Sequence, residues 1–471
     1  MRKLKTFATV MLVFAFIFVT ACSGSDKPNN DPATNKNAET PKNDAAAPEN
    51  TPEPKEPEEP KVDLGGREIR ILLDDAEQRG LGGPVEGTKY GDMRMERQKE
   101  VEKKYNVKIV YEPLAYGQVN EKLIASGLAG EPVADIVAID KYFAIPLINQ
   151  GLLREVGDLF DFNDSKWPQG IQNFGAWNGK MYGFTDSVNA GSGIYYNKTL
   201  FKREGLPDPH QLVKEDKWNW DTFLDILKKA TKDTDGDGNI DQWGIANHAP
   251  IIARIIMYAN NGALVENRDG NWVFTGDEPN AVEAMRFLYD LVNTHKVMMP
   301  NKNGNFEDWV DSQTAFHTGK AAMVTGELWE AGGRKEMTDE FGFVYFPKGP
   351  KATEYANSLE NFSVYFMPAN VKQPEIVAQI WDELVLWEET RNIRKEFNER
   401  NLQGAEDVEA ALTISDWVNP VPWAGVGDIG GNLSPAVWNF VRNGSTPESE
   451  MEKIKQPVQK SLDDILNKAK P

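Results

Sequence analysis

The residue types best spaced for binding chemistry occur in the run D-T-D-G-D-G-N-I-D, residues 233–241. Oxygen-bearing side chains fall at loop positions 1, 3, 5, 7 and 9, with glycine at position 6, as in the first part of an EF-hand calcium loop. Ca²⁺ takes several oxygens at about 2.3–2.6 Å, so a tight turn that points alternate side chains inward suits it. The sequence therefore predicts a structural calcium site with the ligands Asp233, Asp235, Asp237, Asn239 and Asp241.

This loop departs from the EF-hand pattern at position 12, where Gly244 stands in place of the bidentate glutamate. Either another segment completes the coordination shell, or the site is weak, or there is no site. In the last case the aspartates form a solvated turn that caps the preceding helix. We expect calcium, and the turn is the alternative.

Tryptophan is the second informative residue type, with 13 in the chain. Several lie in polar or glycine-rich surroundings, where a flat indole face suits the C–H face of a sugar and nearby Asp, Asn and Glu accept its hydroxyl hydrogens. The alternative is packing in a core, as for most tryptophans. Trp329, in G-E-L-W-E-A-G-G after a predicted strand, and Trp438, just inside a predicted helix, depart furthest from a core pattern. We predict ligand contacts from Trp243, Trp329 and Trp438.

Other catalytic and metal-binding patterns are absent from the sequence. None of the 4 histidines belongs to an H-x-x-x-H or H-E-x-x-H pair. The run Gly191-Ser192-Gly193 lacks the second spacing of a G-x-S-x-G nucleophile elbow, and no glycine loop of the phosphate-binding kind occurs. Among 72 carboxylates, no pair stands out as a glycosidase acid and nucleophile. We expect no catalytic residues.

Length and charge limit the class of protein. A chain of 471 residues exceeds the roughly 250–300 at which single hydrophobic cores stop growing, so more than one core is expected. The formal net charge of −20 argues against a nucleic-acid partner.

Residues 1–21 have the order of a bacterial export signal: basic residues, a short apolar run and then small residues. Cys22, the only cysteine, follows Val-Thr-Ala, which resembles a lipobox whose cysteine is acylated and becomes the mature N-terminus. A plain secretory signal with Cys22 as a stray thiol is the alternative. Residues 22–62 are rich in Pro, Asn, Ala and Glu, which predicts a disordered linker that holds the following domain clear of a membrane.

From residue 63 the pattern becomes globular and alternates between strands and helices. This order predicts right-handed crossovers and a largely parallel sheet, whose ligands lie outside the carboxyl ends of the strands. That rule selects Asp74, Asp75, Asp140, Lys141 and Tyr142, of which Asp75, Asp140 and Tyr142 are predicted as ligand contacts. The predicted strands span 68–75, 107–111 and 134–139, and the predicted helices span 91–105 and 116–126.

Two predicted strands, 181–184 and 194–196, flank the small polar run Asp186–Gly193. We interpret this run as the place where the chain crosses from one α/β domain to another along the floor of a ligand cleft, which makes Asn189 a ligand candidate. The alternative is an ordinary hairpin within one domain. Later in the chain the pattern predicts helices at 219–232, 281–292, 306–318, 374–401 and 448–468, and strands at 321–324, 343–346 and 362–366.

A series of short motifs resembles the extracellular solute-binding proteins of ABC importers, in the sugar-binding branch that includes maltose-binding protein. Each motif is weak alone, and their order and spacing make the resemblance specific. The motifs are G-E-P-V-A-D-I-V at 130–137, G-L-L at 151–153, W-N-G-K at 177–180, Y-N-K at 196–198, W-D-T-F at 220–223 and F-H-T-G-K-A-A-M at 316–323.

This resemblance implies a type II periplasmic-binding-protein fold, with two α/β lobes joined by hinge crossings near 185–191, 346–353 and 385–390. The first lobe would comprise 63–186 and 347–387, and the second 187–346 and 388–471. By position, the loop from Asp140 to Tyr142 would contact ligand from the first lobe, and Trp329 and Trp438 would stack on it from the second.

The implied function is a lipid-anchored, monomeric receptor on the extracytoplasmic face of the cell membrane. It would capture a sugar or oligosaccharide by hinge closure and present it to importer permease subunits, with no enzymatic step. Two alternatives are a surface-anchored, calcium-dependent polysaccharide hydrolase and the same fold with a non-sugar solute.

Overall fold

The computed structural model describes residues 62–74, 83–168, 170–359, 362–423 and 425–467. The predicted signal segment, Cys22, the linker up to residue 61 and Asp75 lie outside these ranges. Within them, no helix has both the length and the apolar composition needed to cross a bilayer.

Fifteen α-helices occur in the described ranges. They are α1 (Lys89–Tyr105), α2 (Gln118–Ala129), α3 (Lys141–Asn149), α4 (Ile171–Gly175), α5 (Lys198–Glu204), α6 (Pro209–Lys214), α7 (Trp220–Ala230), α8 (Ala249–Ala259), α9 (Pro279–Tyr289), α10 (Phe306–His317), α11 (Pro374–Leu384), α12 (Thr390–Asn401), α13 (Ala405–Asp416), α14 (Ile429–Arg442) and α15 (Pro447–Leu462).

The described strands are β1 (Arg67–Asp74), β2 (Val107–Leu114), β3 (Ile136–Asp140), β4 (Ala176–Trp177), β5 (Lys180–Met181), β6 (Gly183–Phe184), β7 (Ser192–Asn197), β8 (Trp243–Ala246), β9 (Val265–Arg268), β10 (Asn271–Phe274), β11 (Ala321–Glu327), β12 (Phe341–Tyr345), β13 (Asn357–Leu359), β14 (Ser363–Phe366) and β15 (Val418–Pro420). A 3-10 helix, Leu328–Glu336, follows β11 directly.

Two separate sheets organise these elements. The first has the order β2-β1-β3-β14-β6, in which β1 runs parallel to β2 and β3, and β14 runs antiparallel to β3 and β6. The second has the order β12-β7-β11-β8, with β11 parallel to β8 and antiparallel to β7. We call the parts of the chain built on these sheets the first and second lobes. The parallel β1–β3 unit confirms the prediction from the strand and helix order.

The chain does cross between the two sheets in the stretch that the sequence singled out. Strand β6 pairs with β14 of the first sheet, whereas β7 pairs with β11 and β12 of the second. The hairpin alternative for residues 181–196 is therefore wrong. The chain returns to the first sheet between β12 and β14.

The predicted single helix from Pro374 to Asn401 is wrong, since two helices occupy this range. Helix α11 ends at Leu384, after which Val385 adopts an extended backbone with ψ 132°. The indole N–H of Trp387 donates to the carbonyl of Asp382 at 3.2 Å, which satisfies an acceptor at the end of α11. Helix α11 buries Val377, Ile380 and Trp381 in the first lobe, whereas α13 packs on β12 of the second, so the chain must turn between them.

Other predicted helices are confirmed. Asn219 caps α7 and forms a capping box with Thr222. The apolar face predicted for 281–292 is buried on α9, where Ala284, Met285 and Leu288 are fully enclosed.

A buried carboxylate joins three elements of the second lobe. Asp407 on α13 is fully enclosed and accepts hydrogen bonds from Lys198 Nζ at 2.6 Å, His210 Nε2 at 2.9 Å and the Phe343 N–H at 3.0 Å. Burial alone would raise the pKa of this carboxyl, but hydrogen bonds from His210 and Lys198 hold it below its ordinary value. The ionised group therefore stabilises the fold.

We expect Asp407→Asn to lower the free energy of unfolding by about 3–5 kcal/mol at pH 7, because it removes the buried carboxylate that pairs with Lys198 and accepts from His210. The folded-state pKa is depressed, so this stabilisation is present above the unfolded pKa and is lost as pH falls through the folded value. Urea unfolding at pH 7 and pH 3 measures the difference, which should shrink at pH 3. Asp225→Asn, at an exposed position of α7, is the control and should change stability by less than about 0.5 kcal/mol. Equal stability of the two variants at pH 7 would contradict this assignment.

Candidate functional site

A small pocket lies where the two lobes and the crossing segment meet. It is lined by the crossing residues 187–191, by the end of β11 from Glu327 to Trp329, and by Phe362 and Ser363 at the start of β14. The space in this pocket is about 30 Å³. Ligand pockets for small molecules usually measure roughly 300–1,000 Å³.

On the first-lobe side Ser363 lines the pocket, whereas the predicted contacts Asp140 and Tyr142 are not among its lining residues. Asp140, at the end of β3, has no exposed surface and accepts hydrogen bonds from Ser363 Oγ at 2.7 Å and Tyr116 Oη at 3.1 Å. The antiparallel register of β14 and β3 places Ser363 directly opposite Asp140. The Tyr142 ring is 48% exposed and packs edge-on against Phe143. Asp140 therefore orients the two hydroxyl groups, and Tyr142 offers an open aromatic surface.

The crossing segment is fastened to α12 by side-chain hydrogen bonds. Asn189 Oδ1 accepts from Asn398 Nδ2 at 2.9 Å, and Arg394 donates to the carbonyl of Val188 at 3.0 Å. Burial raises the pKa of the neighbouring Asp186, an effect that the guanidinium of Arg94 opposes. Asn189 thus lies on the pocket wall, with its amide oxygen engaged by α12.

Trp329 projects from the second lobe and is held in place by a polar network. Its indole N–H donates to Glu327 Oε2 at 2.7 Å. The Glu327 N–H donates to Glu330 Oε1 at 2.8 Å, and Arg334 Nη2 donates to Glu330 Oε2 at 2.9 Å. The predicted loop around Trp329 is in fact the 3-10 helix, so the indole ring is more firmly fixed than a loop would allow.

The second lobe also carries a cation that the ligand predictions did not include. Arg254 lies on α8 with its guanidinium 5.6 Å from the centre of the Trp423 ring. Burial lowers the pKa of Arg254 to about 10, and the carboxylate of Glu327 opposes this shift. One sequence feature could have identified Arg254: it is the single charged residue in the otherwise apolar helix A-P-I-I-A-R-I-I-M-Y-A.

The two remaining predicted tryptophans lie at opposite ends of strand β8 in the second sheet. Trp438 on α14 packs edge-on against His248, 5.0 Å away, just beyond the carboxyl end of β8. Trp243 begins β8 and pairs with Ala321 at the start of β11, so it lies at the edge remote from Trp329. It packs beside the small residues Ala246 and Ala315. The structure therefore does not bring Trp243 to the pocket.

The profile of the family of bacterial extracellular solute-binding proteins matches residues 94–382. The chain belongs to this family. Its members are extracytoplasmic solute-binding proteins of ABC transporters.

Relatives of this solute-binding protein resemble it at low identity and over part of their length. An arabinooligosaccharide-binding protein of Bacillus subtilis is 26% identical over 247 residues, which is 50% of this chain and 52% of the relative. Another from Halalkalibacterium halodurans is 23% identical over 235 residues, 48% of each chain. The match thus spans about half the length of these relatives.

Solved structures share the fold across most of the chain. The maltose-binding periplasmic protein of Listeria monocytogenes, in complex with maltose, has a TM-score of 0.64 at 16% identity and covers 85% of this chain and 98% of its own. An ABC substrate-binding protein of the same organism, in complex with cycloalternan, has a TM-score of 0.60 at 18% identity and covers 84% and 99%. The predicted two-lobed α/β fold is confirmed.

The acidic loop of the solute-binding protein brings three of its five predicted ligands together. Carboxylate oxygens of Asp233, Asp235 and Asp237 lie within 4.8 Å of one another, and within the described ranges this is the only such cluster of three or more. Asp241 instead accepts hydrogen bonds from the N–H and hydroxyl of Thr234, at 3.0 and 2.7 Å. Asn239 donates its N–H to Asp237 at 2.8 Å.

Loop position 12 is sterically closed to any side chain. A Cβ atom on Gly244 would lie 2.5 Å from the carbonyl oxygen of Leu227. A glutamate could not stand there, so a seven-ligand EF-hand shell cannot form from this loop alone. Asp233 also accepts from the N–H groups of Gly236 and Gly238, both at 2.7 Å, which is the geometry of a self-contained turn.

Proposed function

We propose that this protein captures a carbohydrate, most specifically an oligosaccharide, between its two lobes and delivers it to an ABC importer. The observation that carries the proposal is the pocket shared by both lobes and the crossing, with an indole ring fixed in its wall. A flat indole suits the C–H face of a sugar ring. Hydroxyl and carboxylate groups of Ser363 and Glu327 lie beside it to exchange hydrogen bonds with sugar hydroxyls.

The comparisons support this class of ligand. Two relatives are named for arabinooligosaccharides, and the similar structures hold maltose and cycloalternan. A glycosidase would need two carboxyl groups roughly 5–9.5 Å apart across its substrate. Of the residues that line the shared pocket, one is acidic, Glu327, and it accepts from Trp329. We therefore favour a non-enzymatic receptor over the hydrolase alternative.

Entry of a sugar requires the lobes to separate. The enclosed space of about 30 Å³ is roughly a tenth of the smallest usual ligand pocket. The three crossings, near 185–191, 346–353 and 385–390, are the segments that would absorb the backbone change. Closure around the sugar would then form the surface that permease subunits recognise.

The binding proposal predicts a calorimetric response and a change in tryptophan fluorescence when maltose, maltotetraose or arabinotetraose is titrated into the full chain. Trp329→Ala should weaken binding at least about tenfold, a loss of ~1.4 kcal/mol, because it removes the fixed stacking surface. Trp243→Ala is the matched control, since Trp243 lies at the remote edge of the same sheet, and should bind like the wild type.

If none of these sugars gives a response and a peptide mixture does, the ligand is a solute other than a sugar. Release of reducing ends from a polysaccharide would favour the hydrolase instead. Equal weakening by Trp329→Ala and Trp243→Ala would show that the effect is not local to the pocket.

We also propose that the acidic loop binds calcium, supported by the three carboxylates within 4.8 Å. The loop lies on the second lobe between α7 and β8, so the ion would stabilise that connection and take no part in ligand capture. Free Ca²⁺ at about 100 times the dissociation constant would stabilise the fold by ~2.7 kcal/mol.

Thermal unfolding in calcium chloride and in a chelator tests the calcium site. We expect a higher Tm in calcium for the wild type and for Asp225→Asn, and no difference for Asp235→Asn. Identical Tm values for the wild type in both conditions would show that the loop is a self-contained turn that binds no calcium.

The tether is a further part of the proposal, and it is supported by the order of basic, apolar and small residues before Cys22. Acylated Cys22 would anchor a monomer to the extracytoplasmic face of the membrane, with residues 22–62 as a spacer. We expect the wild type expressed in its own cell envelope to partition into the detergent phase on Triton X-114 separation and Cys22→Ser to partition into the aqueous phase. Wild-type and Cys22→Ser chains in the same phase would contradict the anchor.

A further inference from the structure

A second and much larger pocket lies on the other side of Trp329. Its space is about 520 Å³, and it is bounded by α10, by the 3-10 helix and by α12. This volume falls within the roughly 300–1,000 Å³ typical of small-molecule sites. Trp329 lines both this pocket and the pocket between the lobes. We call the larger space the outer pocket.

The outer pocket has aromatic walls contributed by different elements. Trp309 lies on α10, Phe397 on α12 and Trp329 on the 3-10 helix, and all three rings are half-buried. Rings on three separate elements therefore line the same space. Such a lining favours a ligand with broad apolar faces.

The floor of the outer pocket is polar and rich in N–H groups. Gln313 is 7% exposed; its Oε1 accepts from Arg334 Nη2 at 2.7 Å, and its Nε2 has no hydrogen-bond partner within the described ranges. The Arg334 guanidinium, itself 2% exposed, stacks 3.8 Å from the centre of the Tyr195 ring. A buried N–H without an acceptor is costly, so this floor fits a ligand that supplies oxygen acceptors.

The acidic residue on this wall is already engaged. Glu330 accepts from the Glu327 N–H at 2.8 Å and from Arg334 at 2.9 Å. The outer pocket therefore offers apolar ring faces above and hydrogen-bond donors below. A sugar ring is complementary to this lining, because it has C–H groups on its faces and hydroxyl oxygens around its edge.

We propose that the outer pocket is a second saccharide subsite, in which the chain of an oligosaccharide continues past Trp329 from the pocket between the lobes. This inference rests on the proposed carbohydrate function and adds to it a preference for length. A disaccharide fits within the pocket between the lobes once they part, whereas longer chains gain contacts with Trp309, Phe397 and Gln313. The wall of the outer pocket lies mainly on one lobe, so its contacts do not depend on closure.

Two glycines offer a matched pair of substitutions that remove no existing contact. A Cβ on Gly332 would point across the outer pocket to Asn401 Oδ1 at 3.7 Å, an ordinary contact distance. A Cβ on the exposed Gly157, which lies in the first lobe and does not line the outer pocket, would meet Glu155 Oε1 at the same 3.7 Å. Gly332→Leu therefore fills the outer pocket, and Gly157→Leu adds the same side chain at a site remote from it.

The experiment is calorimetric titration of the full-length wild type, Gly332→Leu and Gly157→Leu with maltose, maltotetraose, arabinobiose and arabinotetraose. We expect the wild type to bind one tetrasaccharide at least about tenfold more tightly than the corresponding disaccharide. Gly332→Leu should abolish that preference while it leaves disaccharide affinity within about twofold. Gly157→Leu should behave like the wild type, and Phe397→Ala should reproduce the loss seen with Gly332→Leu.

Each other outcome counts against the subsite. Equal affinity of the wild type for short and long chains, or a preference that survives in Gly332→Leu, would overturn the outer pocket while sugar binding stands. Equal loss of disaccharide and tetrasaccharide affinity in Gly332→Leu would also overturn it, since the effect would then come from the pocket between the lobes. No binding of any saccharide would overturn both this inference and the proposed function.

Discussion

The hydrogen bond from the Trp329 indole to Glu327, 2.7 Å long, is the contact on which the arrangement of the site depends. It joins the last residue of β11 to the second residue of the following 3-10 helix, so the ring position is set by the strand itself. Glu330 and Arg334 close the same network from below. A charge-assisted hydrogen bond in a partly buried place is stronger than a neutral one. One side chain can therefore form a wall of two different pockets without being mobile.

The topology explains why polar groups collect at this place. In the first sheet, β3 ends at Asp140 and β14 begins opposite it at Ser363. In the second sheet, β8 and β11 are parallel, so their carboxyl ends bring His248, Glu327 and Trp329 to one edge. Because the chain crosses directly from β6 to β7, these two edges lie on either side of residues 187–191. Side chains distant in sequence meet there because strand direction, and not sequence distance, decides which ends are neighbours.

Periodicity and strand order were enough to predict the β1–β3 unit, the cap of α7 and the buried face of α9, whereas the local pattern before β7 left a hairpin open beside the crossing. The break between α11 and α12 was not predictable in this way, because residues 385–389 carry no glycine or proline and the turn is imposed by packing on two different lobes. Trp243 illustrates the same limit. A polar sequence neighbourhood predicted exposure to ligand, yet the ring packs over alanines at the edge of the sheet remote from the pocket. Arg254 and Gln313 were not singled out from the sequence because their contacts depend on what faces them across the fold.

Contacts between the lobes bear on how tightly a ligand can be held. Ile145 and Trp177 of the first lobe belong to the same buried cluster as Val421 and Trp423, so separation of the lobes would expose apolar surface. At about 25 cal/mol per Å² of such surface, even a modest opening carries a cost that favours the closed arrangement. A ligand changes this balance only by the difference in its affinity for the two arrangements. Under the proposed function, the groups that would make that difference approach from opposite lobes, Ser363 on one side and Trp329 on the other, whereas contacts within one lobe would strengthen binding to the open and closed arrangements alike.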